Sequence, residues 1–517
     1  MSQGKKIFSV TILLMGVTLF TKLISLVREI LLAAQFGVSQ QADIFVAVYT
    51  IPTIILTIAS GAISAVLIPM IVNLRSQGEE LRLKKLISSI FSLTALFMLL
   101  LTIALYFVIE PFVDVYVMGF SAEAKLYTIE LFKIVIPALI AIGLISISSS
   151  ILNAYHHFFT PSLGPVFYSL GIIIALLFFS EQYGVQSLII GYAIGVVAQL
   201  IILLTVIIKK GISFNLRIWF NEDLKRFSLL ILPFVISIGV FQLNTIVDKM
   251  MASTLPEGNL AALNYAFRIT QLPLSIFVGA MVLPLFPVIA ENIGNNNIAG
   301  AKKILAQSNR LLGILLLPVM GIYIVLARPI IAIVYQRGEF DFNALETTSL
   351  ALIFYTFTIL PFSMRDIITR VFYSLQDTWT PVVNSIFLVA LNVTLMIIFV
   401  PKLGLIAVAG STSISAIFGY LRIRSKLIKK IGPITNDSEK VIWRKIYRNV
   451  IIFTLIILGT YNAFLLIWSN PLGIELWIRT LLSLAIGVIV YIYLTLRLDT
   501  EEIKWLKTRL LKLIRRA

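Results

Sequence analysis

Apolar residues run along this chain in blocks of about twenty or more, parted by short polar segments. Blocks of that length match the thickness of a bilayer's hydrocarbon core, and they predict fourteen membrane-crossing helices. The first six lie at roughly 7–35, 42–73, 86–109, 127–152, 160–181 and 184–208. The next six lie at roughly 227–252, 260–290, 304–327, 347–373, 380–400 and 403–424. The last two lie at roughly 447–468 and 474–496. No polar stretch is long enough for a separate soluble domain. The expected fold class is an all-α polytopic membrane protein.

The pattern repeats. Thr160-Pro161 and Tyr183-Gly184-Val185 return as Thr380-Pro381 and Leu403-Gly404-Leu405, at one offset (381 − 161 = 220 and 404 − 184 = 220). This divides the chain into a six-helix lobe at 1–210, a second at 211–430, and a segment at 431–517 with helices 13 and 14. An even number of spans per repeat gives both lobes the same orientation, so they are expected to face a central cavity across an axis along the membrane normal. Spans 13 and 14 have no counterpart and read as an appendage. The tail beyond Leu498 reads as a basic amphipathic helix on the inner leaflet. Its apolar stripe is Ile503, Leu506, Leu510 and Ile514, and Lys504, Lys507, Arg509, Lys512, Arg515 and Arg516 supply its charge.

Composition agrees: of 517 residues, 59% are hydrophobic and only 13% charged, too few to cover a soluble surface. The net charge of +17 sits mostly in loops, so its expected partners are anionic lipids and not nucleic acid. Lys5, Lys6, Arg75, Arg82, Lys84, Lys85, Lys209, Lys210, Lys302 and Lys303 fall on one side of the fourteen-span arrangement. So does the dense run from Arg422 to Lys445. The positive-inside rule then places both termini in the cytoplasm. The first apolar run is too long for a cleaved signal peptide and lacks a small-residue cleavage site. The chain has no cysteine and only two histidines, which excludes disulfides, thiolate chemistry and histidine-rich metal sites. His156-His157 reads as an ordinary interfacial pair. No nucleotide-binding Gly-Lys-Ser/Thr loop and no catalytic constellation is present, so the chain is not expected to be an enzyme. Energy must come from an ion gradient, the membrane potential or the substrate gradient.

Charges inside hydrocarbon cost several kcal/mol and normally face a partner or a wet cavity. Span 1 carries Lys22, Arg28 and Glu29; span 2 opens with Asp43; span 7 carries Asp248 and Lys249. Span 8 carries Arg268, and span 10 carries Arg365, Asp366 and Arg370. Lys22 and Glu29 fall on one helical face, with Arg28 close to it. Spans 1, 2, 7 and 8 are the corresponding first pairs of the two repeats, and spans 3–6 are nearly charge-free. Arg28 and Arg268 each sit in an apolar run with no obvious carboxylate to neutralise them. Facing a closed lumen, they would suit an anion such as phosphate or pyrophosphate, which a guanidinium binds bidentately. Pro52, Pro69, Pro273, Pro284 and Pro287 are expected to interrupt spans 2 and 8.

Several segments carry a family resemblance. They are Thr21 to Glu29 with Phe36-Gly37 and Ala42-Asp43; Asp248 to Pro273; Gln336-Arg337-Gly338-Glu339-Phe340; and Phe372 to Thr378. Together they resemble the MurJ (MviN) lipid II flippases of the multidrug/oligosaccharidyl-lipid/polysaccharide exporter superfamily, over the whole chain. That resemblance implies fourteen helices in two lobes around a cationic cavity, working by alternating access in the bacterial cytoplasmic membrane. The cargo would be undecaprenyl-pyrophosphate-linked peptidoglycan precursor, with cell-wall synthesis machinery as a partner. By motif, Arg28 and Arg268 match pyrophosphate-binding arginines. Lys22 stands where arginine is usual, Asp43 matches an important aspartate, and Arg370 matches a basic position. Asp248, Asn392 and Thr412 fall on a sodium site, with Val408 offering a carbonyl. At the second acidic position stands Met396, a poor sodium ligand.

The chain also departs from that pattern. Leu56, Thr57 and Ser60 replace the usual arginines and glutamate after Pro52. Phe267 replaces an aspartate, and Gln271 stands where some members have glutamate. Three other readings therefore stand beside lipid II: a different lipid-linked oligosaccharide, a cation-coupled small-molecule exporter, or a membrane scaffold for envelope assembly.

Overall fold

The computed structural model describes residues 3–212, 215–434, 437–468, 473–498, 500, 503 and 504, with side chains described from residue 16 onward except at 278–284 and 286. No strand occurs among the described residues. All fourteen apolar blocks fall on helix. Among the described residues, ten helices are each long and apolar enough to cross a membrane, or eleven when one bent pair counts as a single span. Most of the expected amphipathic tail, from Leu506 onward, lies outside the described residues. The chain divides into two compact units, residues 1–261 with 337–340, and residues 262–336 with 341–517.

The first unit contains α1 (Gln3–Phe36), α2 (Gln40–Ser76), α3 (Glu80–Tyr116), α4 (Ala122–Val135) and α5 (Ala138–Ala154). It continues with α6 (Phe159–Ser162), α7 (Gly164–Phe178), α8 (Ser180–Lys209) and α9 (Glu222–Ser253). Polar loop residues cap the apolar runs. Ser39, Ser121 and Asn221 accept the first free N–H groups of α2, α4 and α9. The bend of 46° between α4 and α5 falls at Pro137, which lacks an N–H to continue the ladder. Contrary to expectation, α2 runs unbroken through Pro52 and Pro69. Close by, the Tyr116 hydroxyl donates to the Ala47 carbonyl at 3.2 Å and ties α3 to α2.

Lipid offers no hydrophobic drive between helices, so association depends on close approach. Gly171, Gly191 and Gly195 bring the backbones of α7 and α8 together; a side-chain carbon on any of them would strike the opposing backbone. Serines join α2 to α5, with Ser60 to Ser146 at 2.9 Å and Ser64 to Ser150 at 2.8 Å. Arg82 grips both oxygens of Asp223 at 2.6 and 2.8 Å, clipping the start of α9 to the start of α3. By sequence α9 opens the second repeat, yet it packs within the first unit.

The second unit contains α10 (Asn259–Pro273, its first turn shared with the first unit), a π-helical turn (Leu274–Val278), α11 (Gly279–Gly294) and α12 (Ile298–Val325). It continues with α13 (Ala327–Tyr335), α14 (Phe342–Thr356), α15 (Ile359–Ser374), α16 (Trp379–Leu403) and α17 (Leu405–Ile431). The last two are α18 (Asp437–Ile467) and α19 (Ile474–Leu496). Span 8 does break, at Pro273, where α-helix gives way to the π turn. The appendage is well seated. Gly313 and Gly321 of α12 receive Trp443 and Thr454 of α18, and the Tyr491 hydroxyl of α19 donates to the Ile314 carbonyl at 2.8 Å. Arg310 and Glu439 clip α12 to α18, much as Arg82 and Asp223 clip α3 to α9.

The repeat recurs in the backbone. Gly184 and Gly404 share φ of 54° and 57°, and His156 and Gln376 share φ of 58° at the same spacing (376 − 156 = 220). A side chain also returns in role. His157 Nε2 lies 2.8 Å from the Thr160 hydroxyl, and Asp377 accepts from the Thr380 N–H and hydroxyl at 3.0 and 2.9 Å. Lys430 donates to Asp377 at 2.7 Å, whereas burial and the charge of Lys210 push His157 below its ordinary value. The Lys430 bond and the Thr380 N–H hold the Asp377 carboxyl down at about 2.

Gly191→Val should lower stability by about 1–3 kcal/mol through overpacking. Gly459→Ala, facing open space on α18, should be neutral. Thermal unfolding in detergent checks this, and equal melting of both variants would remove the close-approach account. The folded-state pKa of Asp377 lies below its ordinary value of 3.8, so its contribution is full above that value and fades as pH falls toward about 2. Asp377→Asn should therefore melt earlier than wild type at neutral pH, and the gap should close on acidification.

Candidate functional site

Arg28 points into the first unit's interior and is 2% exposed. Its Nη2 donates to Glu29 Oε1 at 2.5 Å, and its Nη1 donates to the Tyr49 hydroxyl at 2.8 Å. The guanidinium carbon also lies 4.9 Å from the Tyr49 ring centre. Tyr49 meets Tyr192 edge-on at 5.2 Å, and Tyr192 is 5.8 Å from Tyr168. Residues from α1, α2, α7 and α8 thus enclose one cation. The expectation that Arg28 lacks a neutralising carboxylate is overturned by its own chain neighbour. Side chains at i and i+1 leave a helix in different directions, which hides such a pair from a helical-face reading. A long guanidinium stem folds back across that gap, because an unpaired charge buried here would cost several kcal/mol. Lys22, by contrast, is exposed while Glu29 is buried, so the two do not share one environment.

Asp43 lies in the first turn of α2 and is 3% exposed. Its two oxygens accept the backbone N–H groups of Gly258 and Ala261, each at 2.6 Å. The carboxylate therefore caps the start of α10, where free N–H groups and the helix dipole favour a negative charge. Gln40 adds a bond to Glu257 at 2.6 Å. Around this cap the chain closes backbone on backbone. Gly258 lies against the Val38 carbonyl, Gly37 against the Glu339 carbonyl and Gly338 against the Ala34 carbonyl. Glu339 N–H donates to Ala34 O at 2.8 Å. All three glycines have positive φ, so a side chain would both strain the backbone and force the chain segments of this junction apart. The junction consists of three of the sequence segments singled out for the resemblance.

The other candidates lie in the second unit or in partial contact. Arg268 is half-buried on α10, next to Phe267, whose ring meets Tyr355 edge-on at 5.3 Å. Arg370 pairs with Asp366 one turn back on α15 at 3.6 Å. Asp248 belongs to the first unit and accepts from Asn244 at 3.2 Å, whereas Asn392, Met396, Val408 and Thr412 belong to the second. Thr412 donates to the Val408 carbonyl at 3.0 Å, and Met396 is fully buried. A thioether is a soft donor, ill-suited to a hard cation that prefers oxygen.

Comparison with known proteins now decides the family. The family described as "Lipid II flippase MurJ" matches residues 32–483. The chain belongs to the MurJ family. A probable lipid II flippase MurJ of Buchnera aphidicola subsp. Acyrthosiphon pisum (strain APS) is 27% identical over 504 residues, covering 96% of this chain and 97% of that protein. A probable lipid II flippase MurJ of Rhizobium tropici is 30% identical over 433 residues, covering 81% and 79%. Among solved structures, "Lipid II flippase MurJ, inward closed conformation" aligns with a TM-score of 0.79 at 28% identity, over 94% of this chain and 98% of that one. A multidrug resistance MATE family transporter of the MOP superfamily, in an inward-facing conformation, aligns with a TM-score of 0.69 at 17% identity, which shows shared fold alone.

Two of the positions at which the resemblance leads one to expect charge carry hydroxyls that bond locally. Ser60 makes the hydroxyl pair with Ser146 that joins α2 to α5, and Thr57 bonds back to the Thr53 carbonyl at 2.8 Å. Glu29 and Tyr49 were missed in the sequence as partners of Arg28. A buried arginine's demand for a partner, searched at one residue's distance as well as at helical spacing, would have found the first.

Replacing sodium by potassium or choline should leave transport in reconstituted vesicles unchanged. A strict sodium requirement would show that transport by this chain is coupled to sodium.

Proposed function

We propose that this chain carries lipid II, the undecaprenyl-pyrophosphate-linked peptidoglycan precursor, from the inner to the outer leaflet of the bacterial cytoplasmic membrane. The observation that carries this reading is the family match over 32–483. Transport needs no bond made or broken in the cargo, so no reaction is assigned to the chain. The membrane potential is the assigned energy source. The positive loops favour both termini in the cytoplasm, and cell-wall synthesis proteins are the expected neighbours.

Arg28 and Arg268 are assigned to the pyrophosphate, each within its own unit, with Lys22 and Arg370 as further cations. Arg28 is held by Glu29 and Tyr49. A pyrophosphate offers more charge than one carboxylate and can accept from both arms of the guanidinium fork, whereas Glu29 takes only one, so it competes for that guanidinium. The carboxylate keeps the cation satisfied when no cargo is bound. Asp43 is assigned a positioning role: its cap on Gly258 and Ala261 fixes the start of α10 against the start of α2. The hydroxyl and aromatic replacements at Thr57, Ser60 and Phe267 favour one second reading, a different glycan on the same pyrophosphate-linked lipid.

Complementation of a bacterium depleted of its own lipid II flippase tests the proposal. Wild type should restore growth. Arg28→Ala and Arg268→Ala should each lower transport by roughly tenfold or more, the loss of a charged hydrogen bond of about 1.5–3 kcal/mol. Membrane levels should match wild type. Full rescue by both variants would sink the arginine assignment, and failure of well-expressed wild type would shift the cargo to another lipid-linked glycan. Asp43→Asn should weaken the cap and reduce transport less than Arg28→Ala does, as read in the same strain.

A further inference from the structure

Where α17 passes into α18, a cavity of about 510 Å³ opens among α12, α15, α17 and α18 of the second unit. Arg424, Lys440 and Arg444 line it, together with the rings of Tyr420, Trp443 and Tyr447. Its floor is apolar, formed by residues such as Leu360 and Met364. Glu439 also lines it, but its charge is answered by Arg310. Lys440 shares its charge with the exposed Asp437 at 2.8 Å. Arg424 and Arg444 make no ion pair among the described residues, and the buried Oδ1 of Asn309 has no hydrogen-bond partner there. This end of the unit carries the densest positive run in the chain, Arg422 to Lys445, which the positive-inside rule sets at the cytoplasmic interface.

We propose that this cavity binds the phosphate headgroup of an anionic glycerophospholipid of the cytoplasmic leaflet. Two guanidinium groups without carboxylate partners suit a phosphodiester, which accepts their forked donors. Tryptophan and tyrosine beside them suit the glycerol level of a bilayer, where one end of the ring is apolar and the other wet. The apolar floor receives the root of an acyl chain. A volume of about 510 Å³ takes a headgroup of this size. A basic pocket between helices at the cytoplasmic side is the form that lipid-headgroup recognition takes. The proposal does not rest on the nature of the transported cargo.

The full-length protein in zwitterionic detergent, titrated with phosphatidylglycerol or phosphatidylcholine and weighed by native mass spectrometry, tests it. Phosphatidylglycerol should be retained and phosphatidylcholine not. The Arg424→Ala, Arg444→Ala double variant should bind phosphatidylglycerol about tenfold more weakly or worse. Lys426→Ala with Lys429→Ala, which removes as much charge from exposed positions outside the cavity, should change binding by less than about twofold. Arg444→Glu alone, at an exposed position, should repeat the loss without disturbing packing, with its melting temperature as control. Equal loss in the lysine variant would reduce the effect to surface charge and overturn the proposal. So would undiminished binding in the arginine variants, equal retention of phosphatidylcholine, or displacement of phosphatidylglycerol by equimolar inorganic phosphate or undecaprenyl pyrophosphate.

Discussion

Hydrocarbon has no water to satisfy a polar group, and that constraint governs nearly every contact in this protein. Backbone groups are satisfied by helix, and loop ends by serine, asparagine and aspartate caps. Charges follow the same rule. Arg28 takes Glu29 and Tyr49, Arg310 takes Glu439, and Asp43 takes two backbone N–H groups. Because lipid gives helices no hydrophobic reason to associate, they are drawn together by glycine contacts and hydroxyl pairs instead.

On the function proposed above, the same bonds also prepare the site for cargo. Glu29 keeps the Arg28 cation satisfied until an anion of higher charge displaces it, an exchange that a ligand of a few kcal/mol differential affinity can drive. The Asp43 cap fixes the start of α10, and the glycines at 37, 258 and 338 let bare backbones approach closely around it.

The two repeats have kept backbone and changed chemistry. Positive φ persists at 156 and 376 and at 184 and 404, because those turns set the direction of the next helix. The cap on the following threonine has diverged from histidine at 157 to an aspartate at 377 clasped by Lys430. Helix clipping was reused as well. Arg82 with Asp223 and Arg310 with Glu439 each fix a later helix onto its unit, so the C-terminal pair is as firmly built in as α9.

The sequence by itself determined the helical class, the positions of the apolar blocks, the repeat offset and the family. These depend on local composition and spacing, which the chain carries in one dimension. It also placed Asp43 and the segments around Gly37, Gly258 and Gly338 on the list of residues that matter. Only the tertiary structure decided what they touch. Asp43 meets Gly258 from more than two hundred positions away, and Arg28 turns inward to an adjacent glutamate that helical spacing had set aside. It decided that α2 passes its prolines unbroken, while span 8 breaks at Pro273. It also decided that α9 packs within the first unit and that a cationic cavity forms where α17 meets α18. Such outcomes depend on which distant groups are available to satisfy a buried one, and no local pattern records that.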